Sequence, residues 1–236
     1  MRYRSALVSS LLAAALLVNW SVAVRAAVKP SPKSSDEQIC DPRADYYLGM
    51  EDYPEAIRLH RQVIRADPGN ALAHYHLGFA YGILGDHEDE LAEYQRAIAL
   101  GLDDWQLFLN LGLLYLESGQ LRDATEVLQL ATVLGPDHAE THFNLALAYE
   151  RRGILPRAEQ QMLVALQIDP DQPDAHNALG AIYAEEGQYM RASQEWTDLV
   201  SADPDYAPAR TNLNILQRVE RGELKGARAG GFAAEP

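Results

Sequence analysis

A 34-residue period runs through most of this chain and restricts its fold more than any other feature. A frame started at Glu37 and stepped by 34 begins new units at Glu37, Ala71, Trp105, Ala139 and Pro173, with a partial unit at Ala207. No insertion or deletion breaks the register. A period of roughly 20–50 residues means one supersecondary unit stacked on copies of itself.

The repeated positions have physical reasons. The eleventh place holds Tyr47, Tyr81, Tyr115, Tyr149 and Tyr183, and the eighth is always small: Ala44, Gly78, Gly112, Ala146, Gly180. Small residues recur at the twentieth place (Ala56, Ala124, Ala158, Ala192) and the twenty-seventh (Ala97, Ala131, Ala165). Small side chains let helices approach closely, while Leu and Tyr fill the space beside the contact. Proline at the thirty-second place (Pro68, Pro136, Pro170, Pro204) ends each second helix, since it lacks an N–H and clashes with the preceding turn. Gly85, Gly119, Gly153 and Gly187 mark a turn within each pair, where a helix end takes positive φ cheaply.

These columns resemble the tetratricopeptide repeat family in repeat length, small residues, tyrosine and terminal proline. The resemblance implies an all-α chain, a right-handed α-solenoid of five helix pairs (37–70, 71–104, 105–138, 139–172, 173–206) closed by a capping helix over 207–221. It implies binding rather than catalysis, because the family supplies surfaces to unrelated processes.

Departures cluster at particular units. Asp41-Pro42 reads as N-cap and first helical residue, which makes the first helix short. That unit has Glu51 where the others have the inter-helix glycine. The second unit has Glu90 at the small twentieth place and Leu102 in place of proline, which predicts an irregular junction before Trp105. Residues 27–36 and 222–236, rich in Pro and Ser or in Gly and Ala, read as flexible tethers.

Charge and the N-terminal segment bound the partners. With 34 acidic residues against 20 Lys and Arg, the chain is a poor match for nucleic acid or for anionic lipid surfaces, both of which are held through Lys and Arg. Arg2 and Arg4 precede the apolar run Ala6–Val18. Residues 1–26 read as a signal peptide cleaved after Ala26 or as an uncleaved N-terminal anchor. Both place the remainder outside the cytoplasm: periplasmic, secreted, or held at the inner membrane facing the periplasm. Membrane contact is expected only for the anchor. The single cysteine, Cys40, excludes an intramolecular disulfide and reads as a bystander thiol in a flexible leader.

In stacked repeats the first helices line a concave face. In this frame Tyr75, His76, Phe79 and Ile83 turn inward in the second unit, Leu109, Asn110 and Leu113 in the third, Phe143, Asn144 and Leu147 in the fourth. Asn110, Asn144 and Asn212 share the sixth place, with Asn177 one residue displaced. An amide both donates and accepts, so a spaced row suits the peptide groups of an extended chain; the repeat portion of O-linked N-acetylglucosamine transferases looks similar. Beside the row, Tyr75, Phe79, Leu109, Leu113, Phe143 and Leu147 form an apolar band. The alternative is that these groups pack the wall or bond neighbouring helices. Inward lysines of the carboxylate-clamp type are missing.

No phosphate-cradling loop, nucleophile elbow or metal motif is present. His74, His142 and His176 share the fourth place with Phe108, a column that says packing. His138 and His142 lie four apart without a third ligand, so neither a metal nor another cofactor is expected. Asp86 to Glu90 reads as an exposed helix start. The chain is therefore expected to be a non-enzymatic scaffold or adaptor for a protein or peptide partner. The alternative is a self-associating structural component, as a homo-oligomer, or an accessory subunit of an envelope secretion or glycan machine.

Overall fold

The computed structural model describes residues 40–221. The leader, the linker and the C-terminal tail lie outside the described residues, as does the 37–39 start of the first unit. The described residues are all-α: eleven helices and no strand. None of these helices is long and apolar enough to cross a membrane. The described residues divide into two compact units, the first ending at Leu114 and the second beginning at Tyr115.

The N-terminal unit contains α1 (Pro42–Gly49), α2 (Tyr53–Ala66), α3 (Ala71–Ile83) and α4 (His87–Ala99). Helix α5 (Trp105–Glu117) carries the boundary between units. The starts of α1, α2 and α3 have a local cause. Asp41 caps α1 by accepting from the Arg43 and Ala44 amides, Asp52 caps α2 at Glu55, and Asn70 caps α3 at Ala73. Helix α3 packs against α4, α2 and α1. Ala44, Ala56, Ala73, Ala80 and Ala97 are fully buried at these contacts. At Gly78 an added Cβ would stand 2.7 Å from the Tyr94 ring, which shows how close α3 and α4 run.

The junction after α4 departs from the others, as the missing proline predicts: α4 ends at Ala99, one place earlier in the repeat than its sister helices, and leaves through a different turn. Gly101 takes φ +93°, its N–H donates to the Ile98 carbonyl, and the Leu102 N–H donates to the Ala97 carbonyl. A left-handed glycine with such bonds stops a helix as firmly as proline does. The Glu90 departure also has its explanation: Glu90 is buried, in contrast to the exposed helix start expected, and accepts from His87 Nδ1 at 3.0 Å. Its carboxylate lies where a Cβ on Gly82 would stand, 2.5 Å from Oε1. The larger side chain at the twentieth place is accommodated by a glycine on the facing helix.

The C-terminal unit contains α6 (Leu121–Leu134), α7 (Ala139–Arg151), α8 (Leu155–Ile168), α9 (Pro173–Glu185), α10 (Tyr189–Ala202) and α11 (Ala207–Glu220). Neighbours in sequence pack in turn, and α7 also meets α9, as α9 meets α11. First helices thus stack on first helices. Ala124, Ala131, Ala146, Ala158, Ala165 and Ala192 are fully buried. Gly119, Gly153 and Gly187 have positive φ, as does Gly85 in the other unit; at the equivalent turn after α1, Glu51 itself adopts φ +60°.

Candidate functional site

The accessible apolar face lies on α3. Tyr75, Phe79 and Ile83, four residues apart, share one side of the helix. Tyr75 and Phe79 are half-buried and Ile83 is 53% exposed, with Leu84 beside it at 47%. The Asn110 amide donates to the Tyr75 hydroxyl at 3.1 Å. Leu113 is half-buried, while Leu109 is buried in packing at 4% exposure.

In the C-terminal unit the expected asparagine row serves another purpose. Asn177 and Asn212 are completely buried, and the Asn212 amide donates to the Asn177 side-chain oxygen at 3.0 Å. The Asn177 main-chain carbonyl accepts from the Trp196 indole. These amides bond helix to helix and present nothing to a ligand, which corrects the reading of both as groove residues. Asn144 is also buried and donates to the Glu140 carbonyl of its own helix. Leu147 is buried too, leaving Phe143 half-buried. The spacing explains the difference. Asn110 and Asn212 each bond the residue 35 positions earlier, Tyr75 and Asn177; 35 before Asn144 stands Leu109, which has no acceptor side chain.

The fourth-place histidines form a repeated staple. His74, His142 and His176 each direct Nε2 to the carbonyl of the preceding unit's proline, Pro68, Pro136 and Pro170. Each directs Nδ1 to the residue 19 further on, Glu93, Gln161 or Glu195. At His176, burial disfavours the charged ring, but Glu195 and the Pro170 carbonyl outweigh it and raise the pKa.

His76 belongs to a different grouping that sequence spacing does not reveal. Its Nδ1 donates to Asp45 at 2.8 Å, and its ring stands edge-on to His60 with centroids 5.2 Å apart. Cys40 is half-buried and contacts His60 Nδ1 at 3.7 Å, so it is part of the folded unit rather than a leader thiol. His60 is fully buried, and its Nε2 has no hydrogen-bond partner, an arrangement that costs about 1–3 kcal/mol. Burial and the neighbouring His76 lower the His60 pKa to about 4. Burial, with the charges of Asp45 and Asp41, pushes the Cys40 thiol up to about 12. The available signal was positional: His60 occupies the twenty-fourth place, which holds Tyr94, Leu128, Met162 and Trp196 elsewhere.

Two family models, each described as tetratricopeptide repeat, match this sequence: one over residues 42–104 and 109–173, the other over 162–194. The chain belongs to the tetratricopeptide repeat family. Solved tetratricopeptide structures resemble it at the level of fold. YrrB, described as having an unusual peptide-binding site, has a TM-score of 0.65 at 21% identity, covering 77% of this chain and 89% of its own. MamA gives 0.65 at 22% identity, covering 72% and 99%. PilF of Pseudomonas aeruginosa gives 0.64 at 21% identity, covering 76% and 82%. No curated protein matches the chain significantly.

Proposed function

We propose that the protein is a non-enzymatic adaptor that holds a segment of a partner polypeptide against α3 of its N-terminal unit. The observation that carries this reading is the line Tyr75, Phe79, Ile83, with Ile83 more than half exposed although it continues a packed helix face. Apolar surface left accessible beside polar groups is what a contact site needs. Asn110 and the Tyr75 hydroxyl supply polar partners at its edge. The fold-level likeness to YrrB, a protein described as having a peptide-binding site, supports the reading as analogy. A location outside the cytoplasm is part of the proposal and rests on the pattern of residues 2–26 alone.

Selection of ligands from a displayed random-peptide library, followed by anisotropy titration, tests it. Truncating Phe79 and Ile83 together to alanine should weaken the selected peptides at least tenfold, since each partly buried apolar side chain contributes about 1–2 kcal/mol. Truncating the exposed Val133 and Met190 in the other unit should change nothing. Equal affinities in the Phe79/Ile83 variant and the parent would overturn the site.

A further inference from the structure

The first repeat departs from its sisters in a coordinated way. Cys40 stands at the fourth place, where three later units carry the stapling histidine, and His60 stands at the twenty-fourth, where every other unit carries a large apolar or aromatic side chain. Packing alone gives no reason for an imidazole there. Asp45 on α1 and His76 on α3 complete the group, and one ligand-type atom from each of the four residues lies within 4.8 Å of all the others.

We propose that Cys40, Asp45, His60 and His76 form a binding site for a single divalent transition-metal ion of the zinc class. The donor set is one thiolate, one carboxylate and two imidazoles, four ligands of the kinds zinc takes in tetrahedral sites. Two anionic donors balance the charge of the ion. Tetrahedral coordination at ordinary bond lengths sets donors about 3.2–3.8 Å apart. Here Asp45 stands 2.8 Å from His76 Nδ1 and 3.9 Å from His60 Nε2, the nitrogen that would take the ion, and Cys40 Sγ lies beside the same ring, 3.7 Å from its other nitrogen.

The second, independent observation is His60 itself. It is fully buried, and its Nε2 has no hydrogen-bond partner, the Asp45 oxygen 3.9 Å away being too distant for one. A metal gives the buried ring a partner and ties α1, α2 and α3 together. On binding, the thiol proton of Cys40 is released to solvent as the sulfur–metal bond forms, and the neutral His76 ring exchanges its Nδ1 hydrogen for one on Nε2 so that Nδ1 can take the ion, with no change of oxidation state.

The test uses the reduced full-length chain, stripped with a chelator and titrated with Co²⁺ alone, then with Zn²⁺. One Co²⁺ per chain should bind, giving a thiolate-to-cobalt charge-transfer band and the visible bands of a four-coordinate ion; Zn²⁺ should displace it and raise the melting temperature. Cys40→Ser should abolish the charge-transfer band, and His76→Gln should weaken Co²⁺ binding at least tenfold, both keeping the parental helical spectrum. His142→Gln should bind as the parent does. The absence of the band in the parent, or its persistence with unchanged affinity in His76→Gln, would overturn the site. The peptide-binding result does not bear on either outcome.

Discussion

His142 Nε2 donates to the Pro136 carbonyl at 3.0 Å while its Nδ1 lies 2.8 Å from the Gln161 side-chain oxygen, so one ring joins the end of one repeat to both helices of the next. His74 and His176 repeat the geometry. In the third unit both partners are lost together: Leu102 replaces the preceding proline and Phe108 the histidine, and both are buried.

The staple makes a first prediction. His142→Ala removes the ring's hydrogen bond to the preceding repeat and its contact with Gln161, and should destabilise the protein by about 1–2 kcal/mol. Urea unfolding followed by helical circular dichroism measures this; a loss indistinguishable from zero would show that the ring only fills space.

Close approach of helices makes a second. A Cβ on Gly180 would stand 2.5 Å from the indole nitrogen of Trp196, which is itself fully buried and bonded to the Asn177 carbonyl. Gly180→Ala should cost about 1–3 kcal/mol through overpacking. The equivalent pair in the preceding unit is Ala146 with Met162, so adding Trp196→Met should recover part of the loss. Strict additivity in a double-mutant cycle would count against the clash.

The turn after α1 should be improvable. Glu51 is exposed and holds φ +60° where the four equivalent turns have glycine. The left-handed conformation costs an L-residue about 1–2 kcal/mol, offset in part by glycine's freedom in the unfolded chain. Glu51→Gly should therefore stabilise by about 0.5–1 kcal/mol, read as a rise in melting temperature.

Proton linkage gives a fourth prediction. Burial, reinforced by the charge of Glu185 and opposed by Arg151, pushes the Glu150 carboxyl up to about 7. Its folded pKa is above its unfolded value, so the folded state holds the proton more tightly, and the associated stability is complete below about pH 4.5 and lost as pH rises through 7. Glu150→Gln should leave stability at pH 5 nearly unchanged and raise it at pH 8. The gain should be about 1 kcal/mol, since the side chain retains partial solvent screening. Melting curves of both proteins across that range check the sign.

Most of the helical layout was legible in the sequence because it depends on local chemistry. Later first helices begin at Ala71, Ala139, Pro173 and Ala207, the residues where the 34-step frame restarts, and Asp41 caps the short α1 through its own side chain. The irregular junction at Leu102 was legible from the missing proline; that Gly101 supplies the stop through a left-handed turn was not. The asparagine row was misread. Identical residues at identical places meet different neighbours, and what lies 35 positions earlier sends Asn110 to Tyr75 and Asn212 to Asn177, whereas Asn144 turns to its own Glu140.

The sequence by itself determined that this chain is a stack of helix pairs, because periodic small residues and helix stops act within a few turns of where they stand. Only the tertiary structure decided which polar groups are spent inside the fold and which stay accessible. Cys40, Asp45, His60 and His76 are spread over 37 residues on or beside three helices, and no spacing rule on a single helix joins them. Their meeting follows from the packing of α1, α2 and α3, in which side chains distant along the chain become neighbours away from water.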